Sequence, residues 1–132
     1  MIIPVFSLEI KEHNIDLNVK SAVLMEAKTG TVLYSLNKDT MLPPASVTKI
    51  MTLLIVCEAI ADGRISLTDT VTISENASSM GGSQVFLSDG ERLSVEELIK
   101  CAVIASANDA AVALAEFVSG SEENFVKRMN ER

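Results

Sequence analysis

The sequence predicts an α+β chain in which one early β-hairpin is followed by a run of helices. Three features carry that expectation. Two β-rich runs, residues 21–26 and 31–34, flank the glycine-containing turn Ala27-Lys28-Thr29-Gly30, the pattern of a hairpin. A nearly unbroken apolar stretch follows two prolines at Pro43 and Pro44 and ends at Gly63, as one long helix would. Beyond residue 94 the chain is punctuated by helix start and stop signals rather than by strand alternation.

Taken in order, residues 1–20 mix charged and apolar residues without a clean period and read as a lead-in segment. The first hairpin run is almost continuously apolar, as expected of a strand covered on both faces. Residues 37–40 form a polar loop leading to the prolines. A proline pushes its predecessor out of the α region, so the central helix starts no earlier than Ala45 and is expected over about residues 46–62. Residues 70–73 alternate like a short strand, residues 75–80 suit one helical turn broken by Gly81-Gly82, and residues 84–87 suit a further extended piece. Ser94 with Glu97 three residues later is a capping box opening a helix over residues 95–104. Asn108 is expected to cap the next helix, residues 109–118, which Gly120 stops. Ser121 caps a final amphipathic helix reaching Arg132.

Bulk composition narrows the function. The 132 residues are 48% hydrophobic and 22% charged, an ordinary globular balance large enough for a real core. A net charge of −7 and scarce aromatics (no Trp, one Tyr) argue against nucleic acid as a partner. Only one histidine and no C-x-x-C argue against a metal site, and the two cysteines, Cys57 and Cys101, are expected to be buried free thiols. The first eight residues are too short an apolar run, with no basic residue ahead, for a signal peptide. The longest apolar run, residues 50–61, falls short of the roughly 20 residues that cross a bilayer.

The candidate chemistry lies at the start of the central helix. Ser46 and Lys49 are three residues apart and so share one helix face, a hydroxyl and an amine placed as nucleophile and base at the positive end of the helix dipole. The pattern alone is weak. With 14 Ser and 7 Lys, about 0.7 S-x-x-K matches arise by accident, and a second, Ser35/Lys38, follows the hairpin. S-x-N occurs at Ser35/Asn37, Ser74/Asn76 and Ser106/Asn108, of which only the last sits at a break between two apolar helices. The bland alternatives are that Ser46 is an ordinary helix cap and that Ser106 and Asn108 are stop and start signals. A Ser-His-Asp triad would need His13, in the lead-in.

At Pro44-Ala45-Ser46-Val47-Thr48-Lys49-Ile50-Met51-Thr52 the chain strongly resembles the low-molecular-mass penicillin-binding proteins, the serine-type D-alanyl-D-alanine carboxypeptidases. The hairpin around Lys28-Thr29-Gly30, Ala105-Ser106-Ala107-Asn108-Asp109-Ala110 and Gly120-Ser121-Glu122-Glu123-Asn124-Phe125-Val126 continue the resemblance, in family order, over residues 21–130. It implies a β-lactamase/transpeptidase-like α+β fold, of which residues 21–132 would be the N-terminal part. By the same resemblance Ser46 would be the acylated nucleophile and Lys49 its base. Ser106 would relay protons to the leaving D-alanine, and Asn108 would bind the substrate peptide. The implied activity is hydrolysis of the terminal D-Ala-D-Ala bond of peptidoglycan stem peptides through an acyl-enzyme, outside the cytoplasm, sensitive to β-lactam antibiotics and without metal or cofactor.

One departure stands out. In the family a K-T-G strand follows the S-x-N triplet, whereas the Lys-Thr-Gly here, residues 28–30, lies in the hairpin turn before the nucleophile and is a coincidental match. The remaining expectations follow from the absence of that strand before Arg132: an incomplete fold, little activity of these 132 residues by themselves, and self-association through the exposed hairpin edge. A class A β-lactamase-like hydrolase and a non-catalytic interaction module on the same scaffold are the alternatives.

Overall fold

Glu26 shows why the first turn forms. Its carboxylate accepts the backbone N–H groups of Lys28 (3.0 Å) and Thr29 (2.6 Å), its carbonyl accepts from Gly30 N–H, and Gly30 takes a left-handed φ of 72°. The turn joins β1 (Ala22–Met25) to β2 (Val32–Leu36) as an antiparallel pair in the register Ala22↔Leu36, Val23↔Ser35, Leu24↔Tyr34, with an irregularity at Leu24/Met25. Lys28-Thr29-Gly30 is therefore turn chemistry, as the sequence suggested. The apolar run does not lie covered on both faces: Val23, Leu24 and Met25 are about half exposed, at 48%, 55% and 53%.

The hairpin belongs to the first of two compact units, residues 1–42 and 43–132, of a computed structural model that describes residues 17–132. Most of the 1–20 lead-in, including His13, lies outside the described residues.

The second unit begins with a 3-10 turn, Ala45–Val47, running into α1 (Thr48–Ala61). Gly63, at φ 69°, ends it as expected of a residue just past a helix C-terminus. Then come β3 (Thr70–Thr72), the short α2 (Glu75–Ser78) and β4 (Arg92–Ser94), a strand the sequence reading did not foresee, which pairs antiparallel with β3. Three helices close the unit: α3 (Val95–Ile104), α4 (Asn108–Ser119) and α5 (Glu122–Glu131). The capping box forms, with Ser94 accepting from Glu97 N–H while the Glu97 carboxylate accepts from Ser94 N–H and Oγ–H. Residues 84–87 form no strand; they wrap a buried carboxylate described below.

The hub of this unit is α4 rather than α1. It packs against α1, α2, α3, α5 and β3, and its Ala110, Ala113 and Ala115 let those neighbours approach closely. The main core joins Val56, Val71, Ile73, Val95, Leu98 and Leu114, and a smaller cluster of Ile55, Ala115 and Phe125 seats α5. On α1 only Thr52, Ile55, Val56 and Ala59 are buried. Val47, Ile50, Leu54 and Cys57 form an exposed stripe at helical spacing, so Cys57 is exposed, contrary to expectation, while Cys101 is half-buried; both are free thiols.

Candidate active site

Ser46 lies in the 3-10 turn and Lys49 in the first turn of α1. Three residues apart across the junction of the two helical turns, both side chains line one cavity. Ser46 is not a helix cap: the caps of the 3-10 turn and of α1 are Pro44 and Val47, neither with a side-chain cap bond. Elsewhere Ser74, Ser94 and Ser121 do cap helices. The hydroxyl of Ser46 is thus left uncommitted to local structure, on an exposed residue. Its neighbour Ala45 holds a left-handed φ of 50°, a conformation that carries a strain of roughly 1–2 kcal/mol for alanine.

Asn108 reaches the same place from α4. Lys49 Nζ donates to Asn108 Oδ1 at 2.6 Å, and Asn108 Nδ2 donates to the Gly81 carbonyl at 2.6 Å. A backbone carbonyl can only accept, so Nδ2 faces Gly81 and Oδ1 faces the lysine, and the amide orientation is unambiguous. Because the side chain is spent on these partners, Asn108 does not cap α4; the cap position is Ala107, with no side-chain bond, and the helix begins at Asn108 itself. This corrects the expected cap and the expected start at residue 109, and the reason is the site. Ser106 stands two residues earlier, in the three-residue link between α3 and α4, at φ 53°.

Ser46, Lys49 and Asn108 line a cavity of about 620 Å³. Its remaining lining is Ala45, Thr48, Thr52 and Met80, with Ala111, Val112 and Ala115 from α4 and Glu122, Phe125, Val126, Met129 and Asn130 from α5. Three of the four sequence-picked residues therefore meet on one cavity, while Ser106 is not on its wall. The other short matches go elsewhere. Ser35 lies on β2, and Lys38 pairs with Asp39 at 2.7 Å. Ser74 and Asn76 both bind Glu116, at 2.6 and 2.9 Å, tying α2 to α4. Sequence reasoning missed the role of residues 81–83, read only as a helix break; the adjacent glycines were the available signal, since Gly82 adopts φ 81° and a Cβ there would come within 2.9 Å of Asn108 Nδ2.

Comparisons with known proteins converge on one family. The sequence profile of the D-alanyl-D-alanine carboxypeptidases, peptidase family S11, matches residues 8–132. D-alanyl-D-alanine carboxypeptidase DacF of Bacillus subtilis is 58% identical over 113 residues, which cover 86% of this chain and 29% of DacF. Among solved structures, the D-alanyl-D-alanine carboxypeptidase DacD of Francisella tularensis superposes with a TM-score of 0.83 at 38% identity, covering 97% of this chain and 31% of that one. Penicillin binding protein 5 of Haemophilus influenzae gives 0.82 at 39%, covering 90% and 36%. The chain spans about a third of the length of the curated relatives it matches.

Proposed function

The chain belongs to the D-alanyl-D-alanine carboxypeptidase family of serine peptidases, and we propose that it supplies the nucleophile and proton-transfer groups of such an enzyme. In this reading residues 21–132 are the N-terminal part of its penicillin-binding, transpeptidase-like domain. Ser46 Oγ attacks the carbonyl carbon of the penultimate D-alanine of a peptidoglycan stem peptide. Lys49 Nζ takes the hydroxyl proton, Ser106 passes a proton to the departing amine of the terminal D-alanine, and Asn108 holds the peptide. Water then cleaves the Ser46 ester and restores the hydroxyl. A β-lactam acylates the same oxygen through its strained amide, and no metal or cofactor takes part. Acting on cell-wall peptides places the enzyme outside the cytoplasm.

The observation that carries the reading is the 2.6 Å bond between Lys49 and Asn108. It joins the S-x-x-K and S-x-N matches across 59 residues of sequence, beside a serine whose hydroxyl has no capping duty. Chance matches have no reason to converge.

A fluorescent penicillin tests it, applied both to the 132 residues and to the longest natural polypeptide that carries them. The longer polypeptide should label, and Ser46→Ala should abolish the label. The 132 residues alone correspond to 29% of DacF and should label on the order of 100-fold more slowly. Absence of Ser46-dependent labelling in the longer polypeptide would overturn the reading. The half-exposed apolar hairpin is further proposed to pair between copies of the 132-residue chain. Light scattering that stays monomeric across concentrations would count against that pairing.

A further inference from the structure

Asp109, next to Asn108, is fully buried at 0% exposure and forms no ion pair among the described residues. A buried carboxylate without a countercharge is tolerated only where N–H donors satisfy it. Here two come from the irregular loop that follows Gly81-Gly82 and one from α4 itself. Val85 N–H lies 3.1 Å from Oδ2 and 3.3 Å from Oδ1, Leu87 N–H donates to Oδ2 at 3.1 Å, and Ala110 N–H to Oδ1 at 2.9 Å. Phe86, between the two loop donors, is turned outward at φ 60° and 79% exposure. The alternate N–H groups of residues 85 and 87 that a strand would offer to a partner strand are thus both spent on one anion.

The other end of the same loop is held by Asn108. Its backbone N–H donates to the Ser83 carbonyl at 2.7 Å and its side chain to the Gly81 carbonyl at 2.6 Å. Gly82 lies against that side chain with no room for a Cβ, which would sit 2.9 Å from Nδ2. Two consecutive residues of α4 therefore pin residues 81–87, and one of the two is the residue that holds Lys49.

We propose that Asp109 is a positioning residue for Lys49: its buried carboxylate fixes the loop 81–87, the loop fixes the amide of Asn108 through Gly81, and that amide fixes the lysine. The catalytic meaning of this chain of contacts rests on the function proposed above; the contacts themselves do not.

The test uses the longest natural polypeptide that carries these residues, labelled with ¹⁵N. Asp109→Asn keeps the shape but turns one acceptor into a donor facing donors. The Val85, Leu87 and Asn108 amides should then exchange with D₂O at least about tenfold faster, while those of Ile55 and Val56 in α1 keep their protection. The Asn108 Nδ2–H₂ resonances should move toward free-amide positions, a signature that a uniform loss of stability would not give. Acylation by fluorescent penicillin should slow at least about tenfold. Faster exchange at Val85 and Leu87 with the Asn108 resonances and acylation unchanged would overturn the proposal, leaving Asp109 a loop anchor only. If Asp109→Asn does not fold, Gly82→Ala decides, because it displaces the Asn108 amide while leaving Asp109 intact. The same Asn108 and acylation changes are expected there, and their absence refutes the proposal. If the wild-type polypeptide shows no Ser46-dependent acylation, the functional reading fails separately, and the Asn108 resonances alone then decide whether Asp109 positions the amide.

Discussion

Asn108→Ala removes two hydrogen bonds and little else. The bond from Lys49 Nζ and the bond to the Gly81 carbonyl, both 2.6 Å, each contribute about 1–1.5 kcal/mol, the upper half of the range for an intramolecular hydrogen bond. Two effects offset the loss. Alanine is the better helix former by about 0.5 kcal/mol at this first position of α4. Water can enter the 620 Å³ cavity that Asn108 and Lys49 line and re-solvate the amine, and Gly81 is already exposed, so no dry void is left. The net expectation is a loss of about 2 kcal/mol, read from urea unfolding of the longest natural polypeptide that carries the chain. If the Lys49 contact also orients the amine in the acylation step, the same 2 kcal/mol appears as a rate reduced about thirtyfold, measured by stopped-flow with a fluorescent penicillin. A variant that loses the stability yet acylates within about twofold of wild type would show that the contact is packing alone. A variant that keeps its full stability would refute the bond energies assigned to it.

Two further outcomes follow from local geometry. Glu97 is held below the ordinary carboxylate range, mainly by the Ser94 hydroxyl and then by Ser94 N–H. A depressed carboxylate contributes stability that is present above its unfolded value of 4.5 and is lost as pH falls through the lower folded value. Glu97→Gln should therefore flatten the acid limb of stability against pH below about 4.5, and an unchanged slope in urea titrations at successive pH values would contradict it. Phe125→Ala should cost about 3 kcal/mol in urea unfolding, the lower end for such truncations, because the side chain seats α5 against Ile55 and Ala115 but already borders an open cavity; a change under about 1 kcal/mol would mean that α5 is held by something else.

Local chemistry was the legible part of the fold. Turns, caps and stops are decided by a few neighbouring residues, and the Glu26 turn, the Ser94/Glu97 box, the Ser121 cap and the glycines at 63 and 120 lie where those residues put them. The misses are non-local. Strand β4 exists because Arg92–Ser94 finds β3 twenty-odd residues back, and three residues carry too little alternation to announce it. Residues 84–87 read as a strand because Val85 and Leu87 alternate correctly, yet the partner of their N–H groups is a carboxylate on α4. The long apolar run marked α1 as a helix, but which of its faces finds neighbours is not written in the run.

The site was legible for a different reason, and the cap positions show it. A Ser or Asn beside a helix start has a local use as a cap, and that use is the default explanation for either residue. Ser74, Ser94 and Ser121 follow it. Ser46 and Asn108 stand at helix starts and decline it, the first leaving its hydroxyl on a cavity wall and the second giving its amide to a lysine from another helix. Both helices begin without a side-chain cap, which at an ordinary helix start costs about 1 kcal/mol. Add the left-handed backbone at Ala45 and Ser106, and stability is given up at four positions clustered around the same two motifs. Ordinary surface sequence would drift toward the cap and the relaxed backbone; a sequence held to the function proposed above would not. The uncapped helix starts are thus a physical counterpart of the S-x-x-K and S-x-N patterns, and they separate the copies at Ser46 and Ser106 from the copies at Ser35 and Ser74 without reference to any relative.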